Sequence, residues 1–300
     1  MLTAGALSSQ TATAQTLSYS QNFQTDDSAH WAVNYDTLGS SNRVIFQFDY
    51  STIGIPSAPH STGGTTIGMK MMADINPAGA VLGSTVNAGF SVSPTNYSIT
   101  ENFVMHADMW INTHSDKTNA TLTTLTSANG GSGSSMFYGC GYGTAGTGPQ
   151  IAGHADSVFV GTCSDSGSSA RYRMYAPLKP ASYQDGDYQI SATPSFGYVY
   201  NSTAGSRNFS ASVAPAPVWT TIFPSVQPPL AQVLLYRQQT NVQCVASHVD
   251  FAWHDVQVRK VATAISYWID GNLIATANTA DAGTPAGGYL LFTAFDLAVC

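Results

Sequence analysis

Short segments in which apolar and polar residues alternate recur along the whole chain, and this feature most constrains the fold. The segment RVIFQFDY (43–50) places Val44, Phe46, Phe48 and Tyr50 on one side of an extended strand. Five more segments are equally short, rich in β-branched or aromatic residues and bounded by Gly, Pro, Asn or Asp: 65–74, 101–112, 231–238, 248–258 and 288–295. Because strand side chains repeat every two residues and helical faces every 3.6, the pattern predicts an all-β fold, an antiparallel two-sheet β-sandwich.

The organisation of the chain favours one domain. Its first 15 residues, MLTAGALSSQTATAQ, end near an Ala-x-Ala pattern but lack a basic start and a full apolar stretch, so we interpret them as a signal-like or disordered segment. Residues 16–300 then form a single jelly-roll sandwich, because all-β domains often exceed 200 residues. The Gly/Ser/Thr-rich stretch at about 115–149 is predicted to be a long loop or edge excursion. No segment approaches the roughly 18 apolar residues of a membrane helix, so no membrane span is expected.

The composition bears on possible partners. Charged residues make up only 9% of the chain, against about 25% in typical globular proteins, so the surface is expected to carry mainly hydroxyl and amide groups. Such a surface favours a secreted or extracellular protein that binds carbohydrate or an extracellular matrix or cell surface, or that associates with itself. The net charge is −7, and the ten Lys and Arg residues form no stripe, which argues against nucleic acid as a partner.

The segment AISYWIDGNLIATA (264–277) predicts a β-hairpin. Ile265, Tyr267 and Ile269 alternate with Ser266, Trp268 and Asp270, and Asp270-Gly271 supplies the positive φ angles that tight hairpin turns require. The tryptophans of this region, Trp253 and Trp268, have apolar neighbours and are expected in the core.

Together with the preceding FAWHDVQVRK (251–260), this hairpin resembles the late strands of the concanavalin A-like lectin/glucanase superfamily, in its laminin-G-like jelly-roll branch. Those domains often read W-x-x-V-x-V, then a short turn and a strand ending Y/W-x-I-D-G-x-L-I, and residues 253–258 and 267–274 fill this pattern. GTTIGMKMMAD (64–74) and NFVMHADMWIN (102–112) resemble early strands of the family. The resemblance covers roughly residues 16–296 and implies a fold more than an activity.

Two departures from the family pattern limit what the resemblance implies. Its glucanases carry a Glu-x-Asp-x-x-Glu strand, whereas Glu101 is the only glutamate here, so hydrolysis on that template is excluded. Family members usually have a further strand after the one that matches 287–300, so this chain is expected either to end early, which could leave a sheet edge open for pairing, or to close differently, through Cys300.

His-x-Asp spacing occurs four times, where composition predicts about 0.4 occurrences by chance, and three of the four, at 106–108, 154–156 and 248–250, supply candidates. Positions i and i+2 of a strand share a face, so each pair could present an imidazole and a carboxylate to one cation or one sugar. Asp185 and Asp187 form a short oxygen-rich loop in which calcium is possible, although no cofactor is required. The metal candidates are therefore His106, Asp108, His154, Asp156, His248, Asp250, Asp185 and Asp187; the alternative is solvated surface pairs.

A faint similarity to jelly-roll alginate lyases supplies a catalytic alternative. YQDGDYQ (183–189) resembles their Tyr-x-Lys-x-Gly-x-Tyr-x-Gln strand, and QIAGH (150–154) and RYR (171–173) offer groups that could move the C5 proton and hold the uronate carboxylate. The lysine is absent, and the arginine strand lacks its glutamate. The residues such a lyase would use are Gln150, His154, Arg171, Arg173, Tyr183 and Tyr188.

Cysteines and aromatic residues complete the candidates. Cys140, Cys163, Cys244 and Cys300 show no C-x-x-C spacing, and the preferred disulfides are Cys140–Cys163 and Cys244–Cys300, with free thiols as the alternative. Trp31 lies in a polar stretch and is predicted to be exposed; with Tyr183 and Tyr188 it is a candidate for stacking on a sugar.

The sequence thus predicts a secreted jelly-roll protein that binds glycans or surfaces and has no evident catalytic machinery. Two alternatives stay open: a polysaccharide-degrading enzyme, a uronate lyase rather than a two-glutamate glucanase, and a self-assembling extracellular structural subunit.

Overall fold

The architecture is taken from a computed structural model of the chain. The structure describes residues 16–35, 43–72, 88–111, 136–143, 158–163, 172–175, 198–199, 221–224, 226, 229–231, 249–279 and 287–296. Within these ranges the helical segments are single short turns, and no helix is long and apolar enough to cross a membrane.

The described residues form thirteen strands. These are β1 (Trp31–Tyr35), β2 (Arg43–Asp49), β3 (Ile67–Met72), β4 (Ala88–Pro94), β5 (Phe103–Trp110), β6 (Met136–Gly143), β7 (Val158–Cys163), β8 (Tyr172–Tyr175), β9 (Tyr198–Val199), β10 (Trp253–Val261), β11 (Ala264–Ile269), β12 (Asn272–Asn278) and β13 (Tyr289–Asp296). They build a six-stranded sheet of order β1-β4-β13-β6-β7-β8, a five-stranded sheet of order β5-β10-β11-β12-β9 and a two-stranded sheet, β2-β3. All strand pairs are antiparallel except β12-β9, so the predicted all-β antiparallel sandwich is confirmed.

The six-stranded sheet forms one layer, and the five-stranded and two-stranded sheets pack against it. One core cluster joins Val258, Ile265 and Tyr267 of the five-stranded sheet to Leu290 of β13. A second cluster joins residues of the six-stranded sheet, among them Phe90, to Phe46 of the two-stranded sheet. Phe292 packs against both clusters. The two-stranded and five-stranded sheets therefore lie side by side over the same partner layer.

The predicted hairpin is present as β11 and β12. Ile265, Tyr267 and Ile269 are buried and the intervening side chains are not, as the alternation requires. Asp270 and Gly271 have φ angles of 49° and 75°, and Ile269 pairs with Asn272 across this two-residue turn. Positive φ at both central residues matches the twist of a tight hairpin, and Asp and Gly adopt it at low cost.

Two expectations about strand positions are wrong. Residues 136–143, inside the predicted Gly/Ser/Thr-rich excursion, form β6, which pairs with both β13 and β7 inside the six-stranded sheet. The last described strand, β13, does not leave an edge open, because it lies between β4 and β6. In MFYGCGYG (136–143), glycines alternate with larger residues, which is the two-residue period of a strand. The Gly/Ser/Thr-rich composition of the surrounding stretch obscured this signal.

The strand register is incompatible with the predicted Cys140–Cys163 disulfide. Cys140 is opposite Val160, whereas Cys163 is opposite Phe137, so the two cysteines are three register positions apart. At about 3.3 Å per residue this offset is about 10 Å along the strands, and an odd offset places the positions on opposite faces. Bridged cysteines have Cα atoms within about 7 Å, so this pairing is a correction to the sequence prediction. Cys244 and Cys300 lie outside the described residues.

Candidate functional site

The outward side of the five-stranded sheet carries a connected set of polar and aromatic side chains, which we call the polar face. It comprises His106 and Asp108 of β5, Asp255, Gln257 and Arg259 of β10, and Trp268 of β11. The register sets Asp255 opposite Asp108, and Gln257 opposite both His106 and Trp268. These residues share one side because β10 alternates them with the buried Val256 and Val258, which face the core.

Gln257 fixes the positions of Asp255 and Arg259 at the centre of the polar face through hydrogen bonds. Its residue is only 6% exposed, and its amide nitrogen donates to Oδ2 of Asp255 at 2.5 Å. Its amide oxygen accepts from Nε and Nη2 of Arg259 at 2.9 and 2.5 Å. Both ends of the amide are therefore used inside the protein, so Gln257 positions its neighbours and they present the remaining groups outward.

Arg259 lies over an indole ring. Its guanidinium carbon is 4.2 Å from the centre of the Trp268 ring, and the indole Nε1 donates to Oγ of Ser266 at 2.9 Å. Stacking on an aromatic face and the fork-shaped bond to Gln257 restrict the guanidinium to one plane. Arg259 and Trp268 thus form a pre-organised pair at one side of the face.

His106 marks the middle of the face. Its Nδ1 lies 3.2 Å from Oδ1 of Asp255, and its side chain is 55% exposed. The bond to the carboxylate engages one of the two ring nitrogens, so the imidazole has a second nitrogen that can serve a ligand. Asp255, His106 and Arg259 together offer an acceptor and two donors within one surface.

A loop preceding β3 closes the other side of the face. His60 donates its backbone N–H to Oδ2 of Asp108 at 2.8 Å, and its Nδ1 lies 2.7 Å from Oδ1 of the same carboxylate. Trp253 Nε1 donates to the carbonyl of Pro56 at 2.7 Å. Tyr50 accepts at its hydroxyl from the N–H of Ala58 and packs edge-on against Trp253. These bonds hold loop residues 56–60 against β5 and β10.

The environment of His60 favours its charged form. Its hydrogen bond to Asp108 and the negative charge of that carboxylate raise the pKa of His60 above 6.5, and the more distant Asp255 adds to this. A carboxylate stabilises the imidazolium form and therefore has this effect. The side chain is 70% exposed, so water screens the interaction.

Of the predicted metal candidates, the described ones do not converge on one site. His106 and Asp108 share a face as predicted, but His106 bonds to Asp255 and Asp108 to His60. Asp250 is buried, 3% exposed, beside Ile111. Within the described ranges no three His, Cys, Asp or Glu side chains are placed to hold a metal ion. His154, Asp156, Asp185, Asp187 and His248 lie outside those ranges.

Of the six lyase candidates, Arg173 alone lies among the described residues. Gln150, His154, Arg171, Tyr183 and Tyr188 lie outside the described residues. Arg173 is in β8, where its backbone pairs with Gly161 of β7 in the six-stranded sheet, away from β5 and β10.

Three tryptophans lie where they were not predicted. Trp31, expected to be exposed, is 7% exposed and packs against Phe23 and Phe46 in the core, because β1 directs it between the layers. Trp253 and Trp268, expected in the core, are half-buried on the outward side of the five-stranded sheet. Strand alternation explains this, since Trp268 lies between the buried Tyr267 and Ile269.

Sequence reasoning missed most of the polar face. Gln257 and Arg259 alternate with Val256 and Val258 in VQVR, a signal that could have assigned both to an outward side. The role of His60 had no such signal, because its contact with Asp108 joins residues 48 positions apart.

The arrangement can bind hydroxyl-rich molecules by hydrogen bonding and stacking. Carboxylates accept bonds from hydroxyls, guanidinium and imidazole groups donate to them, and aromatic rings pack against C–H surfaces. Together with Trp253, which lies at its far end, the face follows β10 over a length of about 20 Å, from Trp253 to Arg259 at 3.3 Å per residue, so it suits an extended ligand better than a compact one.

No protein-family model matches the sequence, and no curated protein matches it. Among solved structures, the crystal structure of the Emp47p carbohydrate recognition domain matches at 10% identity with a TM-score of 0.28, over 91% of this chain and 90% of that one. A TM-score this low carries no argument about fold or function.

Proposed function

We propose that this protein binds glycans through the polar face. The observation that carries the proposal is the hydrogen-bonded series His106–Asp255–Gln257–Arg259, which ends on the Trp268 ring and lies on the outward side of the five-stranded sheet. Protein groups already fixed in position lose little conformational freedom on binding, which favours affinity for a polar ligand that competes with water.

The aromatic groups strengthen the case for sugars. Trp268 lies beside Arg259 on one side of the face, and Trp253 and Trp110 pack edge-on at its far end. A sugar presents an apolar ring face together with hydroxyl edges, so a surface that combines indoles with carboxylate, imidazole and guanidinium groups complements it.

The concanavalin A-like kinship, the extracellular location and the absence of catalysis are part of this proposal. The sandwich fold, the low charge and the motifs at 253–258 and 267–274 support them. The proposed contacts require no metal, because all of them come from side chains. Calcium is proposed only as a possible addition, tested by repeating the binding measurement with a chelator and then with calcium restored.

A glycan array tests the proposal. We expect the wild-type protein to retain a set of glycans, and titration calorimetry with a retained glycan to show at least tenfold weaker binding for Arg259→Ala and Trp268→Ala. Leu230→Ala, outside the five-stranded sheet and 71% exposed, is the control that keeps wild-type affinity. Equal affinity of all four proteins, or no retained glycan, would contradict the proposal.

Analysis of the glycans after incubation with the protein distinguishes binding from catalysis. New reducing ends would indicate hydrolysis, and absorbance growth near 235 nm on a uronate polymer would indicate elimination. A binding protein produces neither signal while the glycan stays bound.

A further inference from the structure

The two carboxylates of the polar face are already engaged within the protein. Both oxygens of Asp108 accept hydrogen bonds from His60, one from its backbone N–H and one from its imidazole. In Asp255, Oδ1 contacts Nδ1 of His106 and Oδ2 accepts from the amide of Gln257. All four oxygens therefore have a partner in the protein before any ligand binds.

The imidazoles are more exposed than the carboxylates that they contact. The side chain of His60 is 70% exposed and that of Asp108 only 11%, while His106 is 55% exposed and Asp255 only 24%. The strand register sets Asp108 directly opposite Asp255, where two like charges repel each other. Each member of this pair has its own imidazole, and a ligand that approaches the pair meets the imidazoles first.

The atoms that the face can offer to a ligand become donors when the imidazoles are protonated. Because an ionised carboxylate only accepts hydrogen bonds, Nδ1 of each imidazole carries the proton in its contact. The other ring nitrogen, Nε2, is then an acceptor in the neutral ring and a donor in the cation. Arg259 is charged in either case, and its bonds to Gln257 use Nε and Nη2, so Nη1 can serve a ligand.

Protonation of His60 and His106 also changes the charge balance of the surface. With both rings neutral, three carboxylates, Asp270 of the hairpin turn included, outnumber the guanidinium of Arg259; with both rings protonated, the charges balance. The hydrogen bond to Asp108 and its negative charge favour this change, because they raise the pKa of His60. The other charged or titratable groups of the neighbouring elements are His254, which contacts Asp270, Lys260, which bonds to the carbonyls of Thr100 and Glu101, Glu101 itself, Tyr50 and Lys70.

We propose that the polar face binds an extended acidic glycan, whose carboxylate or sulfate groups contact Arg259 at one end and the protonated imidazoles of His106 and His60 toward the other. This inference rests on the proposed glycan binding and names the class of glycan. Asp255 and Arg259 are four positions apart in β10, about 13 Å at 3.3 Å per residue, so the donors suit a chain with more than one acidic group.

The affinity for such a glycan should rise as the pH falls. An anionic group stabilises the imidazolium form, and its bonds to cationic donors are stronger than those of a neutral hydroxyl. Histidine titrates near pH 6.5, whereas a carboxyl group has a pKa of about 4, so the ligand keeps its charge while the imidazoles gain theirs.

A glycan array with matched pairs tests this proposal. It presents uronate oligosaccharides beside their carboxyl-reduced counterparts and sulfated oligosaccharides beside their desulfated counterparts, at pH 5.5 and pH 8.5. We expect the acidic member of a pair to be retained more strongly, above all at pH 5.5, and the neutral member to be retained equally at both values. Retention of uronates alone would identify the group as a carboxylate, and retention of sulfated glycans alone would identify it as a sulfate; both results support the proposal.

Titration calorimetry with the most strongly retained acidic glycan tests the histidines. Wild type should bind about tenfold more tightly at pH 5.5 than at pH 8.5. His106→Gln can still donate to Asp255 but carries no charge, so this ratio should fall to about threefold or less. His30→Gln is the matched control, because His30 also contacts an aspartate, Asp27, and is 56% exposed but precedes β1, outside the five-stranded sheet. It should keep the wild-type ratio, and unfolding temperatures establish that both variants are folded.

The outcomes distinguish this proposal from the glycan binding on which it rests. Equal retention of acidic and neutral glycans, an affinity for the acidic glycan that does not rise as the pH falls, or a wild-type ratio in His106→Gln would overturn the acidic class or the assigned residues and leave glycan binding intact. No retained glycan at either pH would contradict both proposals.

Discussion

Both oxygens of the Asp108 carboxylate accept hydrogen bonds from a single residue, His60, one from its backbone N–H and one from its imidazole. This contact joins a loop to a strand 48 positions away and fixes one border of the polar face. The contact also makes this border sensitive to pH, because the imidazole gains or loses a proton whereas the backbone N–H does not.

Removing the charge of Asp108 should lower the pKa of His60. In Asp108→Asn the hydrogen bond to a carboxylate and its negative charge are lost, so the pKa of His60 should fall toward 6.5. An NMR titration of the histidine ring protons measures this. An unchanged midpoint in the variant would refute the assigned cause.

The same substitution should affect stability mainly at low pH. Because the folded state raises the pKa of His60, the ion pair stabilises the protein fully below the unfolded pKa and is lost as pH rises through the folded pKa. Urea unfolding should therefore show a larger difference between wild type and Asp108→Asn at pH 5.5 than at pH 8.5. The extra difference should be about 1 kcal/mol or less, since the imidazole is exposed. A larger difference at pH 8.5 would reverse the sign and count against this account.

The core between the layers should respond strongly to a cavity. Ile265 is fully buried in the cluster that joins the five-stranded sheet to β13, so Ile265→Ala should lower the free energy of unfolding by about 2–5 kcal/mol. Val261→Ala, on the paired strand but exposed, should change it by about 0.5 kcal/mol or less. Chemical denaturation of both variants measures the contrast, and similar losses would contradict the assigned burial.

Substitutions at Gly271 in the hairpin turn should change stability only through the backbone conformation that this position requires. Gly271 has a φ of 75°, yet a side chain there would meet no other atom within 4 Å. Gly271→Ala should therefore cost about 1–2 kcal/mol from backbone strain, whereas Gly271→Asn should cost less, because Asn adopts this conformation more readily. Thermal unfolding of the pair tests the difference; equal losses would point to lost space instead of strain.

The register predicts the state of two cysteines. Peptide mapping of the unreduced protein by mass spectrometry should find no peptide that links Cys140 to Cys163, since their positions are three residues out of register. Detection of that link would mean that β6 and β7 pair differently.

Much of the fold could be predicted because strand alternation is a local signal. RVIFQFDY and ISYWIDGNLIATAN specify β2, β11 and β12, including the turn at Asp270, from residues that are neighbours in sequence. The order of strands could not be predicted in this way. That β13 lies between β4 and β6 depends on contacts between residues about 150 to 200 positions apart.

The candidate site was harder to predict because alternation tells which residues share a side but not which side faces water. Trp268 was placed in the core from its apolar neighbours, although those neighbours alternate with it and take the buried side themselves. His106 and Asp108 were correctly placed on one face, but their partners, Asp255 and His60, come from other elements, which the sequence alone does not bring together.

The position of a bound glycan tests the central claim most directly. The chain has five tryptophans, so its indole N–H groups give five resolvable NMR signals, among them those of Trp268 on the polar face and of the buried Trp31. Titration with a glycan retained on the array should shift the Trp268 signal and leave that of Trp31 in place. A shift of Trp31 with no change at Trp268 would show that the ligand binds elsewhere and would contradict the assignment of the polar face.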